Sequence, residues 1–143
     1  MRHRKAGRKL GRKSSHREAL LCNLLNALVK NERIETTLGR AKELKRVADK
    51  AVTLAKKNTQ ASITQLSKVV KSEREVVIAK LLNDLAPRFA QREGGYTRII
   101  KLGFRRGDAA PTAVVEYLKA DEQPKAKTKK KAEPAPVAEE KAE

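Results

Sequence analysis

The amino-acid sequence predicts an α+β fold in which a small sheet of about three strands is covered by about four helices. Up to Pro87 the apolar residues recur at the spacing of helical stripes, and after it they alternate in short extended runs. Residues 33–37, which are rich in β-branched side chains, add a strand between two helical stretches. Helices packed on one side of a small sheet are typical of the α+β class.

The first helix is predicted to begin at Ser15, because Ser15 and Glu18 have the three-residue spacing of a capping box. A leucine-rich stripe follows at helical spacing, and residues 30–32 close the helix. Cys22 is interpreted as a small buried or half-buried thiol, since free cysteine is among the most buried residue types. As the one cysteine of the chain, it excludes an internal disulfide and a multi-cysteine zinc site.

A second helix is predicted after the strand at residues 33–37, with Thr36 or Thr37 as its cap and the polar residues 58–61 beyond its end. The face opposite its alanine-rich stripe is strongly basic. Two interpretations of that face stay open, a solvated surface and a surface that meets phosphates. Its basic residues are Arg40, Lys42, Lys45, Arg46, Lys50, Lys56 and Lys57.

Two shorter helices are predicted to complete the helical part as scaffold. Ser62 with Gln65 is expected to begin the third helix. Ser72 with Glu75 has capping-box spacing for the fourth. We expect Pro87 to end that helix, because proline lacks the backbone N–H that an inner helical turn requires.

Two further strands are predicted after Pro87, over residues 96–102 and 112–118, with a loop over residues 103–111 between them. A Gly-Gly pair at residues 94–95 marks the turn before the first of them. Within the loop, the Arg-Gly-Asp sequence at residues 106–108 is interpreted as a tight turn.

Charge and composition divide the chain into three parts. Residues 1–13 form a basic arm, residues 14–118 a globular α+β domain, and residues 119–143 a tail of Lys, Ala, Glu and Pro. The chain has net charge +17 and a pI near 10.3, and the arm has seven Lys or Arg against no Asp or Glu. This surplus indicates a nucleic acid or an anionic membrane surface as partner, rather than a small acidic metabolite.

Neither terminal part has enough apolar surface to fold by itself. Leu10 is the one large apolar residue after Met1 in the arm, so the arm alone is expected to be disordered until it meets a polyanion. Gly7 and Gly11 would let its backbone approach that partner closely. The tail, with seven basic and six acidic residues, is also expected to be disordered and to bind weakly.

No catalytic, metal or cofactor site is predicted. Residues 7–14 resemble a phosphate-binding loop, but three residues instead of four separate the glycines and no strand precedes them. His3 and His16 lie among cations, which repel metal ions. The paired glutamates occur at helix ends and strand starts, where a capping role suffices. We therefore expect neither an enzyme nor a small-molecule substrate.

Membrane association is not expected, because no apolar run approaches the roughly 18 residues that a spanning helix needs. The basic start is not followed by the apolar stretch of a signal peptide, so a cytoplasmic protein is predicted. Aromatic residues are too few for a base-stacking sheet. Recognition is therefore expected to depend on nucleic-acid shape and phosphate.

Five blocks of sequence occur in a fixed order: residues 1–12, residues 33–37 with 41–43, residues 55–57, residues 86–88, and residues 94–99 followed by 106–111. Together they resemble the L17 family of bacterial large-subunit ribosomal proteins, and the resemblance extends from Met1 to about Leu118. The sequence departs from the family pattern at Lys45-Arg46, where Arg-Pro is common, and at Thr112, where Met is common.

The resemblance implies a structural, non-catalytic rRNA-binding protein on the solvent side of the large subunit, near the peptide exit tunnel and beside other ribosomal proteins. It also implies an arm threaded among rRNA helices, with its side chains on backbone phosphates. The arm residues are Arg2, His3, Arg4, Lys5, Arg8, Lys9, Arg12 and Lys13. Further rRNA-binding candidates are His16, Arg17, Arg33, Lys42, Arg98, Arg105 and Arg106.

Two other classes of protein are weighed against this one. A free nucleic-acid-binding protein, such as a nucleoid or regulatory protein, would share the basic charge. A DNA reader, however, needs a recognition helix, and the first helix has few Arg or Asn opposite its leucines. An RNA-modifying enzyme is the third class, and the sequence offers no site for it.

Overall fold

The computed structural model describes residues 7–119, and it confirms the predicted α+β class with a three-stranded sheet. Residues 1–6 and 120–143, which include most of the predicted tail, lie outside the described residues. The elements are α1 (Ser14–Asn31), β1 (Arg33–Thr37), α2 (Leu38–Lys57), α3 (Gln60–Val69), α4 (Arg74–Lys80), a π-helical turn (Leu81–Leu85), α5 (Ala86–Arg88), β2 (Thr97–Phe104) and β3 (Pro111–Tyr117).

The sheet is antiparallel throughout, with strand order β1-β3-β2. The last strand in the sequence therefore lies in the middle, and Val115 pairs with Ile34 on one side and with Ile99 on the other. Thr37 at the end of β1 pairs with Thr112 near the start of β3. A bulge at Leu102 shifts the register of β2 just before the hairpin that connects it to β3.

The core lies where the helices cover the sheet, and α2 is at its centre. Leu44 and Val52 of α2 and Val115 of β3 are each fully buried. An aromatic cluster closes one part of this core, with the ring of Phe89 5.2 Å from that of Tyr96 and 6.3 Å from that of Tyr117. The predicted α2 stripe is confirmed, since its members are all buried: Ala41, Leu44, Ala48, Ala51, Val52 and Ala55.

The predicted capping boxes at Ser15 and Ser72 are both wrong. Helix α1 begins one residue earlier, with Lys13 as N-cap and no side-chain cap, and Glu18 forms an ion pair with Lys71 at 3.2 Å. Helix α4 begins after Glu73, whose backbone is left-handed at φ 52°. A capping box needs an extended N-cap backbone as well as the right residue spacing, and only the spacing is visible in the sequence.

A capping box does form at α3, with its N-cap three residues before the predicted cap, Ser62. The Thr59 hydroxyl accepts a hydrogen bond from the Ser62 N–H at 3.2 Å, and the Thr59 N–H donates to the Ser62 hydroxyl at 3.0 Å. Ser62 is therefore the third residue of the helix instead of its cap. At α2 the N-cap is Thr37, one of the two predicted positions, although its side chain makes no capping bond.

Pro87 does not end the fourth helix, contrary to the prediction. Helix α4, the π-helical turn and α5 follow one another without a break to Arg88. The π-helical turn closes with a hydrogen bond from the Ala86 N–H to the Leu81 carbonyl, five residues back. Proline removes a donor and crowds the preceding turn, and this wider turn accommodates it near the start of α5.

The strands after Pro87 are present but shifted towards their hairpin. β2 ends at Phe104 instead of residue 102, and β3 begins at Pro111. The connecting loop is therefore shorter than predicted, and residues 100–109 are all exposed. The hairpin extends beyond the helices that cover the rest of the sheet.

Candidate nucleic-acid interface

The described part of the arm, residues 7–13, forms a turn rather than an extended chain. The Arg12 N–H donates to the Lys9 carbonyl at 3.2 Å, and the two residues between them have left-handed backbones, at φ 55° for Leu10 and 63° for Gly11. Glycine adopts this conformation without strain. Gly11 therefore has a defined role in the turn, beyond the flexibility expected from the sequence.

This turn rests on the start of α2. A methyl group placed on Gly39 would lie 3.9 Å from both the Arg8 guanidinium and a Leu10 methyl group, and one placed on Gly7 would lie 3.3 Å from the Glu43 carboxylate. Leu10 is half-buried there. The expectation of disorder applies to the arm alone, because contact with α2 gives its one described apolar side chain a place to pack.

The first turn of α1 continues the basic surface of the arm. The Arg12 guanidinium lies 2.6 Å from His16 Nε2, and the Arg17 N–H donates to the Lys13 carbonyl at 2.9 Å. These residues are exposed or half-exposed. The structure thus brings together six of the predicted candidates, from Arg8 and Lys9 through to His16 and Arg17.

A cleft of about 760 Å³ lies between the arm, α1, α2 and the end of α3, and we call it the basic cleft. Its wall includes apolar side chains such as Leu21, Val47 and Val69, together with two carboxylates, Glu18 and Glu43. Seven cations also line it: Arg8, Lys9, Arg17, Arg46, Lys50, Lys68 and Lys71.

The far wall of the basic cleft is held in place through α1. The backbone N–H of Lys71 donates to the Cys22 Sγ at 3.1 Å, and the Asn26 side-chain amide donates to the Ser72 carbonyl at 2.9 Å. Both bonds attach the segment after α3 to α1, next to Lys68. Cys22 is 4% exposed, which confirms the predicted buried thiol.

Few charges in the basic cleft are neutralised by neighbours. Lys71 pairs with Glu18 at 3.2 Å, and Arg46 with Glu43 at 3.6 Å. Among the described residues, no carboxylate lies within 4 Å of the other five cations, Arg8, Lys9, Arg17, Lys50 and Lys68. Unpaired cations around one concave surface raise its affinity for a polyanion.

The predicted candidates on the sheet lie in a different electrostatic setting. Arg33, Glu116 and Arg98 are side by side on the three strands, on the face opposite the buried Val115, and we call them the arginine–glutamate row. Glu116 accepts from Arg98 at 2.7 and 2.9 Å and lies 3.7 Å from Arg33. Both candidate arginines are therefore beside a carboxylate.

At the hairpin tip, residues 104–110, the two neighbouring candidates Arg105 and Arg106 differ in whether they pair with a carboxylate. Arg105 donates twice to Asp108, at 2.6 and 3.0 Å, and this hydrogen bonding lowers the pKa of Asp108 to about 2 and raises that of Arg105. Arg106 is exposed, and within the described residues it has no carboxylate partner. Gly107 turns the chain at φ 101°, which confirms the predicted tight turn.

The basic residues of the α2 face lie in different surroundings. Arg46 and Lys50 reach the basic cleft. Lys56 instead donates to the Arg92 carbonyl at 2.7 Å and lies 5.5 Å from the centre of the Tyr96 ring, so it has a structural role. Lys42 is exposed on the first turns of the helix and is not part of the cleft lining.

Four predicted candidates, Arg2, His3, Arg4 and Lys5, lie outside the described residues. Conversely, Lys68 and Lys71 line the basic cleft although the sequence analysis assigned their surroundings to scaffold. Each is an isolated lysine, so no local pattern indicates its role. The packing of α3 against α2 and the hydrogen bond from the Lys71 N–H to Cys22 of α1 bring them to the arm.

Within residues 7–119, no group of His, Cys, Asp and Glu is arranged to hold a metal ion. In the same residues, no helix is both long and apolar enough to cross a bilayer. The geometry is that of a basic α+β protein with a cation-lined cleft that suits a polyanionic partner.

A family model described as ribosomal protein L17 matches residues 20–118, and the chain belongs to this family. It is accordingly a structural ribosomal protein of the large subunit, which places it in a ribonucleoprotein of the translation machinery. The family predicted from the five sequence blocks is thereby confirmed. The matched residues begin after the arm and include Lys50 and Lys68 of the basic cleft.

Proposed function

We propose that this protein binds large-subunit rRNA through its arm and the basic cleft, as a non-catalytic constituent of the large ribosomal subunit. Its partners are rRNA phosphates and neighbouring large-subunit proteins, and it acts in the cytoplasm without a cofactor, a membrane or a small-molecule substrate. The membership in a large-subunit ribosomal family supports the choice of rRNA over other polyanions.

The single observation that carries this proposal is the convergence of cations on the basic cleft. Four separate segments contribute, from Arg8 in the arm and Arg17 in α1 to Lys50 in α2 and Lys68 in α3. Such a convergence is unfavourable for the free protein, because the like charges repel one another. A phosphate backbone in the cleft removes the repulsion and releases counterions from the RNA.

The remaining candidates contribute more to rRNA binding where the side chain is exposed and less where a carboxylate already lies beside it. We propose direct phosphate contacts for Arg2, His3, Arg4 and Lys5 in the arm, by continuity with the described arm residues. Lys42 and Arg106 are exposed and extend the same surface. Arg33, Arg98 and Arg105 make secondary contacts, since each already has a carboxylate beside it.

Deletion of residues 1–13 tests the role of the arm. At roughly 0.7 to 0.9 counterions per phosphate contact, loss of seven charges reduces the log–log salt slope of rRNA affinity by about 5 to 6. Deletion of residues 119–143 is the matched control, because it removes the same number of basic residues together with six acidic ones. We expect that control to keep nearly the full slope, and an equal slope for both deletions would contradict the proposal.

Sedimentation separates the ribosomal role from free nucleic-acid binding. In a cell lysate the protein is expected to move with large subunits down a sucrose gradient, at a salt concentration that removes loosely bound proteins. A protein that stays at the top of the gradient, away from the subunits, would favour the free nucleic-acid-binding alternative.

A further inference from the structure

Phe104 is the most exposed large hydrophobic side chain among residues 7–119, with 79% of its surface accessible. The other three aromatic residues, Phe89, Tyr96 and Tyr117, are at most 4% exposed and pack together in the core. The aromatic ring at the hairpin tip therefore contributes little to the packing of the domain. Leu102 of the same strand is 51% exposed, and large apolar side chains exposed together mark a surface that a partner covers.

The backbone beside Phe104 is well organised. The Arg105 N–H donates to the Ala110 carbonyl at 2.8 Å, and the Ala109 N–H donates to the Arg105 carbonyl at 3.0 Å. The Arg105–Asp108 ion pair closes the same loop, with its two hydrogen bonds at 2.6 and 3.0 Å. The ring is thus presented on a structured turn, which reduces the entropy lost when a partner binds it.

The hairpin tip lies at the same end of the molecule as the arm. Phe104 pairs with Pro111, and the next residue of β3, Thr112, pairs with Thr37. Helix α2 begins immediately after Thr37, and the arm turn rests on its Gly39. The start of α2 therefore lies between the arm turn and the base of the hairpin, so the two surfaces share one end of the molecule.

The charges around Phe104 favour nucleic acid over a neighbouring protein as the group that covers it. Lys101 and Arg106 are exposed cations, and the one carboxylate of the tip, Asp108, is neutralised by Arg105. An aromatic ring flanked by cations is the arrangement that binds a single-stranded nucleotide, with the ring against the base and the cations against the phosphates.

We propose that Phe104 stacks on an unpaired base of large-subunit rRNA while Arg106 contacts a flanking phosphate. This inference rests on the proposed rRNA-binding function and assigns the hairpin tip a contact of a different kind from those in the basic cleft. Phenylalanine has no polar atom that distinguishes one base from another. The contact therefore selects an unstacked nucleotide by its accessibility and tolerates any base.

Fluorescence gives a direct test, because the chain contains no tryptophan. In the full-length protein, Phe104→Trp places an indole at the hairpin tip, and Val76→Trp places one at another exposed apolar position, on α4, as control. On addition of protein-free large-subunit rRNA, we expect the emission of the first variant to be quenched by base stacking and that of the control to stay unchanged. Quenching only after the other ribosomal proteins are added would assign the site to a protein and overturn the inference.

Affinity measurements with the same rRNA complete the test. Phe104→Ala is expected to weaken binding about 5- to 100-fold with an unchanged salt slope, since a stacking contact is lost and no phosphate contact is. Phe104→Tyr should retain most of the affinity, Phe104→Leu should not restore it, and Val76→Ala should match the wild type. If Phe104→Leu or Phe104→Ala binds as tightly as the wild type, base stacking is overturned while the proposed rRNA-binding function stands. Failure of the wild-type protein to bind rRNA would instead overturn the proposed function, and this inference with it.

Discussion

The basic cleft and the arginine–glutamate row both present cations to solvent, and they differ in where the carboxylates lie. In the row, Glu116 is positioned between Arg33 and Arg98, so the two positive charges share one negative charge. In the cleft, five of seven cations have no carboxylate within 4 Å among the described residues. The number of exposed arginines and lysines alone does not identify the binding surface.

The physical basis of this difference is the energy of exchanging one anion for another. A surface ion pair is worth only about 0 to 1 kcal/mol, so an arginine of the row can leave Glu116 at little cost. The carboxylate, however, remains in place and repels an incoming phosphate. In the basic cleft the two carboxylates, Glu18 and Glu43, are paired with Lys71 and Arg46 and not with Lys50 or Lys68, so less repulsion is expected where a phosphate would meet those two lysines. The two surfaces are therefore expected to respond differently to substitution.

Among the substitutions that compare the two surfaces, those in the basic cleft have the largest expected effect on the salt slope. Lys50→Gln combined with Lys68→Gln removes two unpaired cations, which should lower the log–log salt slope of rRNA affinity by about 1.4 to 1.8. Lys57→Gln combined with Lys119→Gln removes the same charge from exposed positions outside the cleft. If both double variants change the slope equally, binding depends on total charge and the cleft has no special role.

Removal of the row's carboxylate should make that surface resemble the cleft. Glu116→Gln removes the negative charge that lies beside Arg33 and Arg98, so the salt slope for a non-specific RNA duplex should steepen by about 1. Glu93→Gln changes the net charge equally at an exposed loop position and is the control. An unchanged slope for Glu116→Gln would show that the row is unsuited to RNA even when residue 116 carries no negative charge.

Much of the fold could be predicted from the sequence, because helices and strands each have a residue pattern that is visible over a few neighbouring positions. The stripe of α2 and the strand at residues 33–37 are examples. Helix starts were less predictable, since a cap depends on the backbone of the N-cap residue. Lys13 and Glu73 begin helices without a capping side chain, whereas Ser15 and Ser72 have the right spacing but are not the N-cap residues.

The candidate site was predictable only where its residues are contiguous in the chain. The arm and the start of α1 stand out as a run of cations. Lys68 and Lys71 join them through tertiary contacts, such as the hydrogen bond from the Lys71 N–H to Cys22. The pairing of Arg33 and Arg98 with Glu116 likewise depends on the strand order β1-β3-β2, which residue spacing does not determine.

A third ionic cluster, at the C-terminal end of α1, consists of charges that stabilise the fold. Glu32 accepts from Arg88 at 2.7 and 3.2 Å and lies 3.5 Å from Lys80, and these contacts hold the end of α1 against the later helices. Hydrogen bonding from Arg88 is the main reason that the pKa of Glu32 lies below its ordinary value of 4.5.

Glu32→Gln should lower the free energy of unfolding by about 1 kcal/mol at neutral pH and leave the salt slope of rRNA affinity unchanged. A carboxyl group whose pKa is lowered by folding stabilises the protein above its unfolded pKa, and this contribution is lost as the pH falls through the lower folded pKa. The difference between variant and wild type should therefore shrink below about pH 4.5, measured by denaturant unfolding. Glu35→Gln, at an exposed site on β1, is the control and should show neither effect.

The smallest effect at neutral pH is expected for Tyr117, whose buried hydroxyl has no hydrogen-bond partner within the described residues. Tyr117→Phe should change the free energy of unfolding by less than about 0.5 kcal/mol at pH 7, since no bond is lost. Burial raises the pKa of Tyr117 above its ordinary value of 10.0, and the negative charges of Asp49 and Glu32 add to the shift.

Because of this raised pKa, Tyr117→Phe should have a larger effect on the free energy of unfolding at alkaline pH. Above about pH 10 the unfolded wild type releases the Tyr117 proton while the folded protein keeps it, so wild-type stability should fall by up to about 1.4 kcal/mol per pH unit from this residue. Tyr117→Phe lacks this loss and should become the more stable protein as the pH rises. Parallel stability curves for the two proteins between about pH 9 and 11 would show that the hydroxyl ionises as readily in the folded state as in the unfolded chain.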